Sequence, residues 1–316
     1  MGWELIDNAI PGHDIYSTKK HRDPNAPVGS EPDQTYDKFG NAYILSTWAE
    51  LEPQPGVYDW SLVDRAIDHW SALGKRIQFR IATDPHVIIG YKHPDADRHE
   101  VYNRGAPDWL TDPEGEYAVP TTPKCHDAAS VLPDCAPPRP WTPDQGGLDP
   151  SQYKRIYYVP DYENATYQSR LRSFLEAFGA HYDSDRRLET VDLMGYGEWG
   201  EWHSGHDFSS IEARQQFLRN VVRWWSLAFP HKVLGLSASP EYRSDVLPDV
   251  RNPATYEEFK AWSAFDFALL NTKNVGFRRD GFTGCVAQND SELMREAWSD
   301  PRRLPISAEF CGGYPK

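Results

Sequence analysis

Three features of the sequence predict an α/β fold made of repeated strand–helix units and closing as a (β/α)8 TIM barrel. The first is rhythm: from residue 41 onward, runs of strand length rich in β-branched and aromatic residues alternate with segments of helical period. The second is a strand, a helix and a strand within 41–82, a βα unit that implies parallel pairing. The third is length, because 316 residues accommodate one barrel of roughly 250 residues plus insertions. No linker marks a second domain, so residues 1–316 read as a single barrel-like domain with a loop insertion at about 84–163.

Taken in order, residues 3–10 supply a short first strand, followed by a polar loop to about residue 40. Residues 41–48 read as a buried strand, which Pro53, Pro55 and Gly56 end. Asp59 is placed to cap the next helix, on which Leu62, Val63, Ala66, Ile67 and Trp70 share a face and which Gly74 stops. Arg76 to Ala82 is the third strand. The stretch 84–163 then lapses into Pro, Asp, Gly and Tyr, and so long an irregular segment inside a domain is usually functional. An amphipathic helix at about 165–182, a strand at 190–197 and a helix at about 209–228 restore the rhythm. Strand 232–238, a helix at about 255–264, strand 266–271, a helix at about 290–299 and strand 304–310 complete it. That gives seven strands where a barrel needs eight, so either one strand is uncounted or the expected barrel is incomplete at its C-terminus.

Composition narrows the partners. A net charge of -14 works against polyanions, because phosphate backbones are held mainly through Lys and Arg, so no nucleic-acid partner is expected. No stretch of about 18 apolar residues is present to span a membrane. Met1 to Leu5 lacks the basic and apolar regions of a signal peptide. A disulfide between Cys125 and Cys135 would staple the insertion and favour a secreted or periplasmic setting, but four cysteines leave localisation open, as the sequence leaves oligomeric state.

The residues that carry chemistry cluster after the strand at 190–197. Gly195-Tyr196-Gly197-Glu198-Trp199-Gly200-Glu201-Trp202-His203 sets two carboxylates three residues apart, each beside an indole. Its first six residues match the dinucleotide pattern G-x-G-x-x-G. That pattern needs its third glycine at the opening of a helix whose amides meet a pyrophosphate, whereas here an acid sits inside the loop and the helix waits until about Ser209. Glycoside hydrolysis by the common route instead needs two carboxyl groups flanking the scissile bond. Glu198 and Glu201 follow the fourth candidate strand and Glu309 ends the seventh, which is the required supply of acids at two strand ends.

The segment Thr47-Trp48-Ala49-Glu50-Leu51-Glu52-Pro53, with Gly56, Tyr58, Trp60 and Asp64 beyond it and Gly74-Lys75 before the strand at 77–82, resembles the second and third βα units of clan A glycoside hydrolases. It is most similar to family 42 β-galactosidases and related barrel domains, in which a Trp-x-x-x-Glu-Pro-x-x-Gly-x-Tyr-x-Trp/Phe pattern recurs. The resemblance implies a retaining glycosidase acting on a β-linked glycan, with no cofactor. It implies an acid/base glutamate at the end of strand four, Glu198 or Glu201, and a nucleophile at the end of strand seven, Glu309. Where the clan has Asn before the acid/base, this chain has Gly197 and Gly200. Aligned on Asn-Glu-Tyr-Gly of the β-galactosidases the acid is Glu198, and aligned on Trp-Gly-Glu-Trp of the related domains it is Glu201.

Trp48, Trp199 and Trp202 are candidates to stack on pyranose faces, while Trp60, Trp70, Trp224 and Trp225 fall at helical core positions. Arg80 would orient a hydroxyl or carboxylate, or pair with Glu198 or Asp84. His203-Ser204-Gly205-His206 lacks the H-E-x-x-H spacing, so His203 reads as a hydrogen-bond partner of a sugar or a glutamate and no metal ligand is assigned. Two other readings stay open: a carbohydrate-binding barrel without turnover, and a metal-dependent hydrolase.

Overall fold

The computed structural model describes residues 41–83, 105–125, 156–197, 202, 208–237, 264–282 and 306–310. The expected first strand at 3–10, most of the helix at 255–264 and the helix at 290–299 lie outside them.

β1 (Asn41–Thr47) ends one residue short of its expected limit, because Thr47 opens the short helix α1 (Trp48–Leu51). The Thr47 hydroxyl accepts from the Glu50 amide at 3.1 Å, and the Glu50 carboxylate accepts from the Thr47 amide at 3.3 Å. This reciprocal cap fixes the chain direction as it leaves the sheet. Helix α2 (Ser61–Ala72) buries Val63, Ile67 and Trp70, as its periodicity predicts. Asp59 accepts from the Ser61 amide at 3.0 Å, and Ser61's hydrogen bonds hold the Asp59 carboxyl below its ordinary range. At Gly74 the backbone takes φ +75, a left-handed turn that favours glycine, and β2 (Arg76–Ala82) follows.

The 84–163 segment is not wholly irregular. It holds the short helix α3 (Asp108–Thr111) and an antiparallel pair, β3 (Thr121–Cys125) with β4 (Ile156–Pro160). Cys125 closes β3, and Cys135 lies outside the described residues. Helix α4 (Ala165–Tyr182) begins where Asn164 accepts from the Thr166 and Tyr167 amides at 2.9 and 3.1 Å. β5 (Leu188–Leu193) starts and stops earlier than the expected 190–197. Helix α5 (Ile211–Ala228), capped by Ser210, leads to β6 (Val233–Ser237).

One expectation is overturned here. Ala264–Asn271 is helix α6, not a strand, and the strand is β7 (Val275–Phe282). A short apolar run rich in Ala and Leu has no period that separates strand from buried helix, and its helix formers decide. The last described strand is β8 (Ile306–Phe310), which carries Glu309.

The six strands β1, β2, β5, β6, β7 and β8 form one sheet in that order, each pair parallel. Every new strand is added on the same side, so right-handed crossovers put the helices on one face, whereas a doubly wound sheet would reverse its order. The winding is that of a (β/α) barrel; closure between β1 and β8 is not among the described pairings. On the helix side, Phe79 packs against Phe178 and Tyr182, with ring centroids 5.7 and 5.1 Å apart. Val191, Leu193, Leu234 and Leu236 are buried with Phe174, Val221, Val222 and Trp225 in the same core. Among the described residues no helix is long and apolar enough to cross a membrane.

Candidate active site

The other face of the sheet carries a layer of charge. Asp192 on β5 accepts from Arg278 Nε on β7 at 2.9 Å and from Gln78 Nε2 on β2 at 3.2 Å. Both members of the ion pair are 2% exposed, so water screens them little. The pair bridges two strands that are not neighbours and passes over Gly235 of β6, where a Cβ would stand 3.1 Å from Asp192 Oδ1 and 3.4 Å from Arg278 Cβ. Arg80, two residues beyond Gln78 on β2, is also buried. The sequence reading missed Asp192, Arg278 and Gln78. The available signal was the alternation Thr190-Val191-Asp192-Leu193, which puts an acid on the face opposite Val191 and Leu193.

Above this layer the chain leaves β5 through a short, heavily anchored passage. The Trp225 indole donates to the Met194 carbonyl, and the Trp202 indole donates to the Leu193 carbonyl at 2.9 Å. Gly195 takes φ +136, and a Cβ there would meet Val221 Cγ1 at 2.8 Å. Gly197 takes φ +82, and its amide donates to the Tyr162 hydroxyl at 3.2 Å. The Trp202 amide donates to the Tyr196 carbonyl at 2.9 Å. Residues 198–201 and 203, and with them Glu198, Trp199, Glu201 and His203, lie outside the described residues. Their two flanks are fixed. The next described helix begins at Ile211.

Two proposed sugar platforms are corrected. Trp48 is fully buried, stacked on Phe174 at 5.4 Å, edge-on to Trp109 and Tyr167, and its indole donates to Glu52 Oε2 at 2.6 Å. Trp202 is 1% exposed, with its indole spent on Leu193. Neither ring has a face left for a pyranose, because both were drawn into the core by the apolar surface around them. Trp70 and Trp225 are buried, and Trp60 and Trp224 pack partly buried against the same core, as their helical positions predict.

The motif that carries the family resemblance is therefore an architectural one. Glu52 accepts from the Trp48 indole and, through its other oxygen, from the Gly56 amide at 2.8 Å, while its carbonyl accepts from the Trp109 indole at 2.9 Å. Burial pushes the Glu52 carboxyl above its ordinary value, opposed by these bonds and by the charge of Arg170. This glutamate ties α1, the turn at Gly56 and α3 together.

Glu309 is the penultimate residue of β8, two positions beyond Ser307, which pairs in register with Arg278. Because β5 and β8 run parallel in one sheet, Met194, just past the end of β5, and Glu309 stand at the same end of it. Among the described residues no group of three or more His, Cys, Asp or Glu is arranged to hold a metal ion.

No protein-family model matches the chain, and no curated protein does. Solved structures give distant likenesses. Endo-glycoceramidase II from Rhodococcus sp., with a cellobiose-like imidazole, aligns over 99% of this chain and 73% of its own at 14% identity and a TM-score of 0.46. Xylanase XynB from Paenibacillus barcinonensis, with a conduramine derivative, aligns over 85% of this chain and 60% of its own at 10% identity and 0.42. Native xylanase 10B from Thermotoga maritima aligns over 88% of this chain and 65% of its own at 11% identity and 0.40. At this distance the fold is read from the chain's own strand order, which defines a parallel, singly wound α/β protein with a charged inner face.

Proposed function

We propose that the chain is a glycoside hydrolase of the family 42 type, acting on a β-linked glycan by the retaining route. One observation supports the reading: β5, whose chain runs on toward Glu198 and Glu201, and β8, which carries Glu309, are parallel strands of one sheet. Along a flat sheet three strand spacings of about 4.8 Å separate those backbones by about 14 Å, and curvature shortens that chord. Retention requires the two carboxyl groups to approach to about 5–5.5 Å.

In this reading one β5-end glutamate gives its proton to the glycosidic oxygen as the bond to the anomeric carbon breaks. Glu309 attacks that carbon and holds the sugar as an ester. The first glutamate, now a carboxylate, takes a proton from water, which displaces Glu309. The buried Asp192–Arg278 pair ties β5 to β7, the strand that pairs with β8.

The test is a panel of aryl β-glycosides with Glu198→Gln, Glu201→Gln and Glu309→Gln. Glu309→Gln and one of the other two are expected to lose about 10²–10⁴-fold in kcat, which also decides the acid. Full turnover in Glu309→Gln refutes the assignment. Gly197 offers no side chain to a sugar hydroxyl, which favours a second reading, a binding barrel; tight glycan binding by a wild-type chain without turnover would establish it. Activity abolished by chelators and restored by zinc would instead establish a metal-dependent hydrolase.

A further inference from the structure

The stretch between Gly197 and Ser209 contains both candidate acids, and a single turn elsewhere in the chain holds its two ends. That turn, 161–164, joins β4 to α4. It is itself well fixed: the Asp161 amide donates to the Pro120 carbonyl at 2.8 Å, the Glu163 amide donates to Asp161 Oδ1 at 2.9 Å, and Asn164 caps α4. Gln168 Nε2 donates to the Tyr162 carbonyl at 2.8 Å.

Two side chains reach out from this base. The Tyr162 hydroxyl accepts from the Gly197 amide at 3.2 Å, one residue before Glu198. The Glu163 carboxylate accepts from the Ser209 amide and the Ser209 hydroxyl, each at 2.6 Å. The Tyr162 ring is fully buried, stacked on Phe208 at 5.7 Å and 5.1 Å from both Tyr196 and Phe217, so rotation cannot carry its hydroxyl away. A backbone amide in the left-handed conformation of Gly197 has no ladder partner in the sheet, and without the phenol it would be a buried donor left unsatisfied.

We infer that Tyr162 and Glu163 are positioning residues: a clasp that fixes the acid-bearing stretch at both ends and so sets where the proton donor is carried. The inference rests on the glycosidase reading. Proton transfer to the leaving oxygen needs hydrogen-bond reach, and a misplacement of about 1 Å in such a group costs on the order of 10²-fold.

Leaving-group dependence separates this role from a merely structural one. A glycoside with a good leaving group, such as dinitrophenolate, needs little protonation, whereas a methylumbelliferyl or alkyl glycoside needs it fully. In Tyr162→Phe and Glu163→Ala, kcat is expected to fall about 10–100-fold on the poor leaving groups, with KM within about twofold and a much smaller loss on the good one. Hydrogen exchange over 195–208 should rise in both variants, with 61–72 unchanged. Ile67→Val, in the core of α2, serves as the control that loses stability and keeps the wild-type leaving-group dependence. An active wild type whose two clasp variants keep the wild-type dependence and exchange rate overturns the clasp alone. A wild type that turns over none of the glycosides overturns the glycosidase reading and the catalytic role of the clasp with it.

Discussion

Replacing Glu52 by Gln tests the claim that the Trp-x-x-x-Glu-Pro motif is architectural. Glu52 presents two oxygens to two donors, the Trp48 indole at 2.6 Å and the Gly56 amide at 2.8 Å. Glutamine has one oxygen, so its amide nitrogen, which has no lone pair to offer, must face one of those N–H groups. Leaving a buried donor unsatisfied costs about 1–3 kcal/mol. Part of that is offset at neutral pH, because the amide escapes the desolvation that pushes the Glu52 carboxyl up. The net expectation is a loss of about 1–2 kcal/mol at pH 7, read as a lower urea midpoint at unchanged slope. The pH dependence has a definite sign. A carboxyl whose folded pKa lies above its unfolded value contributes most below the unfolded value, and that contribution drains away as pH rises through the folded one. Protonated Glu52 still offers a hydroxyl lone pair that Gln lacks, so the advantage of wild type over Glu52→Gln should be larger near pH 4 than at pH 7. A variant as stable as wild type, or an advantage that grows with pH, would refute the reasoning.

Two further substitutions probe what positions the site. Gly179→Ala raises helix propensity by about 0.8–1 kcal/mol, yet the new Cβ would stand 2.1 Å from the Ala228 carbonyl oxygen and 2.6 Å from its carbon, both backbone atoms. Helices α4 and α5 must then part, so the protein should lose about 2 kcal/mol or more; a gain in thermal midpoint would show that the helices do not meet there. Asn164→Ala removes the cap of α4 and the last residue of the clasp turn, with an expected loss of about 0.5–2 kcal/mol by denaturant titration. The same variant should raise hydrogen exchange over 195–208, because the turn that carries Tyr162 and Glu163 loses its seat on the helix.

What the sequence made legible is what local physics decides. Arg76–Ala82 and Ala165–Tyr182 match their expected limits, the first because six of its residues are buried and Gly74 starts the count, the second because Leu171, Phe174, Leu175 and Phe178 mark its apolar face. What it concealed depends on partners far along the chain. β7 escapes a sequence reading because Arg278 looks like a surface charge until Asp192 is found opposite, and the apolar run of α6 reads as the strand in its place. Trp48 and Trp202 carry the composition of a sugar platform, and only the aromatic residues around the one and the Leu193 carbonyl beside the other assign them to the core. Tyr162 and Glu163 sit in a Pro-Asp-Tyr-Glu-Asn run that reads as the tail of an insertion. No local pattern ties them to Gly197 and Ser209 more than thirty residues away.

The charged inner layer also explains why β6 has a glycine where its neighbours have side chains. Ladder hydrogen bonds join β5 to β6 and β6 to β7, each pair of neighbours setting its own register. The Asp192–Arg278 pair ties β5 to β7 directly, and it can do so only because Gly235 leaves the space between them open. Glycine and ion pair are thus one device. A buried pair of this kind is weak evidence for stability, since its desolvation offsets most of its attraction. Its value here is in register: it fixes β5, which hands its chain to the acid-bearing passage, against β7, which pairs with the strand carrying Glu309. In the proposed reaction, two carboxyl groups must be held at a set separation, and a directional buried contact between β5 and β7 serves that requirement.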